Sequence, residues 1–124
     1  MFITLEGPDG SGKTTQAAAL IPALRQSGYQ VLPTREPGGT PVGEQIRAIV
    51  HDLRNTDIVP RTEILLYLAS RAQLVEQVIR PHLQAGEVVI CDRYADSTLA
   101  YQGYGHCTDL GTLRTLLDFT TGGL

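Results

Sequence analysis

Residues 7–14 read Gly7-Pro8-Asp9-Gly10-Ser11-Gly12-Lys13-Thr14, and this stretch decides the fold. It fits G-x-x-x-x-G-K-[ST], the phosphate-binding P-loop. Its flanks fit too. Met1-Phe-Ile-Thr-Leu5 is short, apolar and β-branched, as a buried parallel strand is. Leu20, Ile21 and Leu24 follow at the spacing of one helix face. A strand, a glycine-rich turn and a helix N-terminus together make an anion site: backbone N–H groups point inward and the positive end of the helix lies behind them. Lys13 then reaches the β- and γ-phosphates and the Thr14 hydroxyl ligates Mg²⁺. Contacts to a nucleoside triphosphate are expected from Gly7 through Thr14 and the adjoining Thr15. Lys13 is the only lysine in the chain, the other nine basic residues being arginines.

The totals narrow the class. At 124 residues the chain is one domain with one core, and its 42% apolar and 19% charged residues are those of a globular protein. A net charge of −3 without a basic stripe argues against a nucleic-acid partner. No run approaches the roughly 18 apolar residues of a membrane span. A strand starting at Met1 leaves no room for a signal peptide. Cys91 and Cys107 lack metal spacing and are expected to be reduced thiols in a cytoplasmic protein. His51, His82 and His106 are scattered singly and read as surface or packing residues.

Taken in order, a helix is expected from about Gly12 to Ser27, stopped by Gly28 and kinked at Pro22. A second strand, Tyr29 to Thr34, ends at Arg35-Glu36 and is broken by Pro37-Gly38-Gly39. Thr40 or Pro41 opens a short helix, and residues 54–59 form a loop. A long helical pattern runs from Pro60 until Pro81 ends or bends it. The third strand, Val88 to Cys91, ends in Asp92-Arg93. A short helix around Ser97 to Gln102, a loop and a last helix near Leu110 to Phe119 complete the chain. Alternating short strands and longer helices imply parallel strands with right-handed crossovers. Ligands of such sheets bind beyond the carboxyl ends of the strands, and all three strand ends carry charged residues.

Asp92 stands where a Walker-B acid holds Mg²⁺, or alternatively where a helix N-cap would sit. Arg93 faces the phosphate edge, or makes a surface ion pair. Arg35 and Arg47 are further candidates, because the planar guanidinium fork binds phosphate oxygens bidentately. Proline holds Glu36 out of the helical region. Tyr67 and Arg71, four apart on one helix, pair a stacking ring with a forked donor; Tyr67 alone reads equally as a core or interface aromatic. Thr98, Tyr101 and Gln102 add hydrogen-bonding groups.

Four stretches in register, Glu6-Gly-Pro-Asp-Gly-Ser-Gly-Lys-Thr14, Thr34-Arg-Glu-Pro-Gly-Gly39, Leu68-Ala-Ser-Arg-Ala-Gln73 and Cys91-Asp-Arg-Tyr94 with Ser97-Thr-Leu-Ala-Tyr-Gln-Gly103, resemble the thymidylate kinase family over the whole chain. The resemblance implies transfer of the γ-phosphoryl of ATP to dTMP, with Mg²⁺, by a cytoplasmic protein that is a homodimer at full length. It implies that Lys13 and Thr14 handle ATP phosphates and magnesium, and that Asp9 approaches the deoxyribose 3′-hydroxyl. Arg35 and Arg93 would hold the dTMP phosphate, with Glu36 nearby through magnesium and water, and Arg47 close by. Tyr67 would stack on thymine, Arg71, Thr98 and Gln102 would bond the base edge, and Tyr101 would crowd the 2′ position. The P-loop has no arginine at Asp9 to Ser11, the bacterial-type arrangement, whose transition-state arginine lies in a lid further along. The expected architecture is a single domain over residues 1–124, a three-layer P-loop NTPase α/β fold with a parallel sheet, cut short after three strands. On that reading this piece binds nucleotide without useful turnover, and the Glu36–Pro37 bond is cis. Two other functions remain open: a kinase of this fold acting on another nucleoside or monophosphate, and a nucleotide-binding or dimer-forming module without catalysis.

Overall fold

The structure, a computed structural model, describes residues 1–124. Three parallel strands form its centre: β1 (Phe2–Leu5), β2 (Val31–Arg35) and β3 (Val88–Asp92), in the order β1-β3-β2. The strand last in sequence is central, and its apolar run Val88 to Cys91 is accordingly buried on both faces. Register brings the three carboxyl ends level, since Leu5 and Arg35 both lie opposite Asp92. The alignment continues one residue further: Glu36 N–H donates to Asp92 O and Arg93 N–H to Leu5 O, each at 3.0 Å.

Alternate residues of the strands face opposite layers. Ile3, Leu5, Val31, Val88 and Ile90 pack on Leu20, Ile21 and Leu24 of α1 (Lys13–Gln26). Phe2, Leu32, Val89 and Cys91 pack the other way, on Leu74, Val75 and Ile79. These belong to one continuous rod made of α3 (Pro60–Leu74), a π-helical turn (Val75–Ile79) and α4 (Arg80–Gln84). A third cluster joins Ile64 and Leu68 of α3 to Leu113 and Leu117 of α6 (Leu110–Thr121). The result is the expected three-layer α/β arrangement around a parallel sheet. No helix is long and apolar enough to cross a membrane.

Local chemistry explains most boundaries. The Thr40 side chain accepts from Gly43 N–H at 2.9 Å and caps α2 (Pro41–Val50), with proline in its first turn. Asp109 caps α6 through Thr112 N–H at 2.7 Å. Gly28, at φ +89°, follows the end of α1 in the left-handed conformation that suits glycine. Pro22 lies within an unbroken α1.

Two expected helices are built differently. The rod beginning at Pro60 does not stay α-helical up to Pro81, because a proline ring clashes with the carbonyl four residues back. The turn ahead of Pro81 widens to the i→i+5 pattern and the helix continues through it. The segment near Ser97 is a single turn, α5 (Ala95–Thr98), running into a second π-helical turn, Leu99–Gly105. Both cysteines are free, Cys91 buried and Cys107 exposed.

Candidate active site

Beyond the carboxyl ends of the strands lies a cleft of about 1000 Å³, and twenty of its 23 lining residues are not hydrophobic. One wall is the P-loop. Gly7, Gly10 and Gly12 hold φ of +140°, +78° and +89°, which residues with a Cβ rarely adopt. A Cβ on Gly7 would also stand 2.7 Å from Ser11 Oγ. Ser11 N–H donates to Pro8 O at 3.2 Å. Gly7, Pro8 and Ser11 therefore shape the loop from behind, while Asp9, Gly10, Gly12, Lys13, Thr14 and Thr15 line the cleft. α1 has neither a side-chain cap nor an acidic residue in its first turn, so its positive end is open to an anion. Lys13 Nζ donates to Gly7 O at 2.9 Å and Pro8 O at 3.0 Å, which folds the ammonium over the loop.

The strand ends supply the floor. Asp92 closes the central strand, and its Oδ1 is buried without a partner. It caps no helix, because the residue at the N-terminus of α5 is Tyr94. Magnesium commonly takes one or two protein oxygens and leaves the rest of its shell to water and phosphate. No group of three or more metal-ligating side chains exists here, and the Thr14 hydroxyl with the orphaned Asp92 oxygen fits that sparse donor set.

Four arginines enter the cleft. Arg93 follows the central strand at φ +71° and donates to Asp9 Oδ1 at 2.7 Å and to Tyr101 Oη at 3.3 Å, its guanidinium 5.3 Å from the Tyr101 ring centre. Arg35 pairs with Glu44 at 3.0 Å and Arg47 donates to Pro37 O at 2.9 Å. Arg71 differs from the others in being 2% exposed. Its Nε donates to Glu36 Oε2 at 2.7 Å and its Nη2 to that oxygen and to Tyr94 O, the latter at 2.9 Å. Its Nη1 has no partner, nor has Glu36 Oε1. Burial pushes the Glu36 carboxyl above its ordinary 4.5, with Arg71 pulling the other way. The Glu36–Pro37 bond is cis, as expected.

Tyr67 and Arg71 both reach the cleft from α3, so the expected shared face exists. Burial raises the Tyr67 phenol above its ordinary value. Thr98, Tyr101 and Gln102 line the same space from α5 and the π-helical turn. The wider turn brings Gly105 to the cleft as well.

Glu6 was expected at the strand-end edge without a role of its own, and Glu63 escaped the sequence reading. Glu6 accepts from Tyr94 N–H at 2.7 Å and from the Ser97 hydroxyl, tying the end of β1 to the start of α5. Glu63 accepts from Gln102 Nε2 at 2.8 Å. A signal for it existed, since Glu63, Tyr67 and Arg71 stand four apart on one helix face. His51 and His106 are exposed, as expected, and both also line the cleft. Nothing in their sequence neighbourhood points there, because loops 51–59 and 106–109 carry them in. His82 stays outside, 2.7 Å from Glu87.

Comparison with known proteins agrees with this geometry. Residues 5–122 match the family described as thymidylate kinase. The chain is 58% identical over 124 residues to the thymidylate kinase of Roseiflexus castenholzii, covering 100% of this chain and 54% of that protein. It is 57% identical to that of Deinococcus radiodurans, covering 100% and 60%. The crystal structure of thymidylate kinase from Ehrlichia chaffeensis superposes with a TM-score of 0.89 at 41% identity, over 97% of this chain and 67% of that one. The chain thus spans little more than half the length of these two sequence relatives. A family match running nearly end to end, at such identities, leaves one assignment: the chain belongs to the thymidylate kinase family.

Proposed function

We propose that this chain forms the nucleotide sites of an enzyme that transfers the γ-phosphoryl of ATP to dTMP, giving ADP and dTDP. The observation that carries the reading is a single cleft with a P-loop at one end and an unpaired guanidinium nitrogen of a buried Arg71 at the other. A triphosphate and a polar base edge can thus be held in one space, with cations between them.

Phosphoryl transfer requires positioning and charge stabilisation more than covalent chemistry from the protein. The loop N–H groups and Lys13 would hold the ATP phosphates. Arg35 and Arg93 would bind the acceptor phosphate, each trading a carboxylate partner for it, with Arg47 alongside. Asp9 would take the 3′-hydroxyl, and Tyr101, braced by Arg93, would occupy the space of a 2′-hydroxyl. Tyr67 would stack on the base while Arg71, Thr98 and Gln102 bond its edge. Thr14 and Asp92 would hold Mg²⁺, with Glu36 reaching it through water; the ion, when bound, neutralises charge on the phosphates. The reading extends to a homodimer of the whole protein, for which exposed Val42, Ile49 and Leu65 on the packed α2–α3 pair are suited. Free thiols fit a cytoplasmic setting.

Calorimetric titration of the chain with dTMP, dUMP, dCMP and UMP tests the acceptor. Selective binding of dTMP is expected; equal affinity for all four refutes the assignment. A P-loop kinase for another monophosphate would show its preference in the same series.

A further inference from the structure

We infer that Glu63 decides which pyrimidine this cleft accepts, by fixing the Gln102 amide so that its oxygen, and not its nitrogen, meets the base. The inference rests on the thymidylate reading above and deepens it. Gln102 is nearly buried, at 5% exposure, on the π-helical turn. Its Nε2 lies 2.8 Å from Glu63 Oε1. A carboxylate only accepts, so the atom facing it must be the NH₂ and the amide orientation is forced. The other Glu63 oxygen lies 3.4 Å from His106 Nε2. Gln102 Oε1 has no partner in the protein, and Gln102 lines the cleft.

Arg71 contributes the second half of the pattern. Its free Nη1 is buried and can only donate. The cleft therefore offers one obligate donor and one oriented acceptor, with the Thr98 hydroxyl able to act as either. A base edge with a ring carbonyl beside a ring N–H satisfies both, as thymine and uracil do. Cytosine presents an amino group beside a bare nitrogen, and would set donor against donor and acceptor against acceptor. An unrestrained glutamine could turn its amide over and relieve half of that conflict. Glu63 prevents the turn, because turning would place two oxygens face to face. Glu63 is thus a positioning residue for specificity: it acts through Gln102 and need not touch the nucleotide.

The test is the ratio of dCMP to dTMP dissociation constants, measured by calorimetry for the wild type, Glu63→Gln and Glu63→Ala. Either variant frees the amide, and the ratio should fall roughly tenfold, the usual effect of one buried mismatched hydrogen bond. A loss of packing alone would weaken both nucleotides together and leave the ratio standing. A ratio within twofold of wild type in both variants overturns the inference. Should neither variant fold, the wild type decides by NMR: the Gln102 side-chain amide protons must stay protected and unshifted when dTMP is added. Their release into rapid exchange on dTMP binding overturns the inference equally. A wild-type chain that does not bind dTMP overturns the thymidylate reading and this one with it. A preference for dTMP that survives undiminished in both Glu63→Gln and Glu63→Ala removes only the role of Glu63.

Discussion

Replacing Arg71 with methionine should produce a destabilisation that grows with pH. Methionine roughly fills the aliphatic volume of Arg71, so little cavity opens. What disappears is a guanidinium that is 2% exposed and bonds Glu36 and the Tyr94 carbonyl, with the Tyr94 ring 5.1 Å beneath it. Removing one partner of a buried ion pair costs about 3–5 kcal/mol, because the other charge is left uncompensated. For a chain of this size each kcal/mol lowers Tm by about 3–5 °C, so a fall of roughly 10–20 °C is expected near neutral pH. The pH dependence follows from Glu36, whose carboxyl burial already holds above its ordinary 4.5, with Arg71 the chief opposing pull. A carboxyl with a raised folded value contributes stability in full below 4.5 and loses it as pH climbs through the folded value. Loss of Arg71 raises that folded value further, so the penalty of Arg71→Met should widen as pH climbs between the two folded values, both above 4.5. Below about pH 4 the carboxyl is neutral in both states, and the penalty shrinks to the lost hydrogen bonds to Glu36 Oε2 and Tyr94 O, about 1 kcal/mol each. The double variant Glu36→Leu/Arg71→Met should recover most of the loss, since an apolar pair can replace a buried ion pair at little cost. Urea melts at half-unit pH steps provide the assay. A penalty under 1 kcal/mol near neutrality, or one that is flat with pH, would refute the reasoning.

Lys13→Ala removes the one ammonium at the P-loop and should weaken ATP binding by about 1.5–3 kcal/mol, roughly tenfold to a hundredfold; unchanged affinity in a calorimetric titration counts against the phosphate-loop reading. Gly39→Ala should destabilise by about 1–3 kcal/mol, because the residue sits at φ +75° and a Cβ would come 2.6 Å from Thr34 Oγ1 and 2.7 Å from Leu74 Cδ1; a melt matching wild type would show that the turn relaxes freely. A thiol reagent should label Cys107 alone in the native chain, since burial encloses Cys91 and drives its thiol far above the ordinary range. Rapid labelling of both thiols before denaturation would contradict that packing.

The sequence was most legible where a residue's type restricts the backbone or the charge. Three glycines before Lys13 permit a positive-φ turn that other residues rarely adopt, and three strands ending in charged residues put those charges at one sheet edge. Register itself comes from the structure, where Leu5 and Arg35 both lie opposite Asp92. Legibility failed where tertiary packing overrode periodicity. Ser97 to Gln102 scans as a helix, and only the fold shows that α5 and the π-helical turn after it bring Thr98, Tyr101 and Gln102 to one wall. Histidines in loops carry no period, so His51 and His106 were read as surface or packing residues, which they are, without their place beside the cleft. Glu63 was visible by spacing yet lacked a reason until Gln102, 39 residues away, appeared opposite it.

On the proposed reading, the two ends of the cleft solve different problems. At the phosphate end every cation has a partner that a phosphate could replace: backbone carbonyls for Lys13 and Arg47, accessible carboxylates for Arg35 and Arg93. These pairs are exposed or half-exposed, where an ion pair is worth only ~0–1 kcal/mol, so a dianion displaces them at small cost. At the base end buried Arg71 is clamped by buried Glu36 and the Tyr94 carbonyl, and buried Gln102 by part-buried Glu63. Arg71, Glu36 and Gln102 do not rearrange cheaply, with Glu63 part-buried beside them, and a base that mismatches them leaves a buried polar group unpaired, at about 1–3 kcal/mol each. Affinity for phosphate can therefore reside in mobile charges while discrimination resides in fixed ones. Substitutions of Arg35 should accordingly weaken all monophosphates alike, and substitutions of Glu63 should change their order.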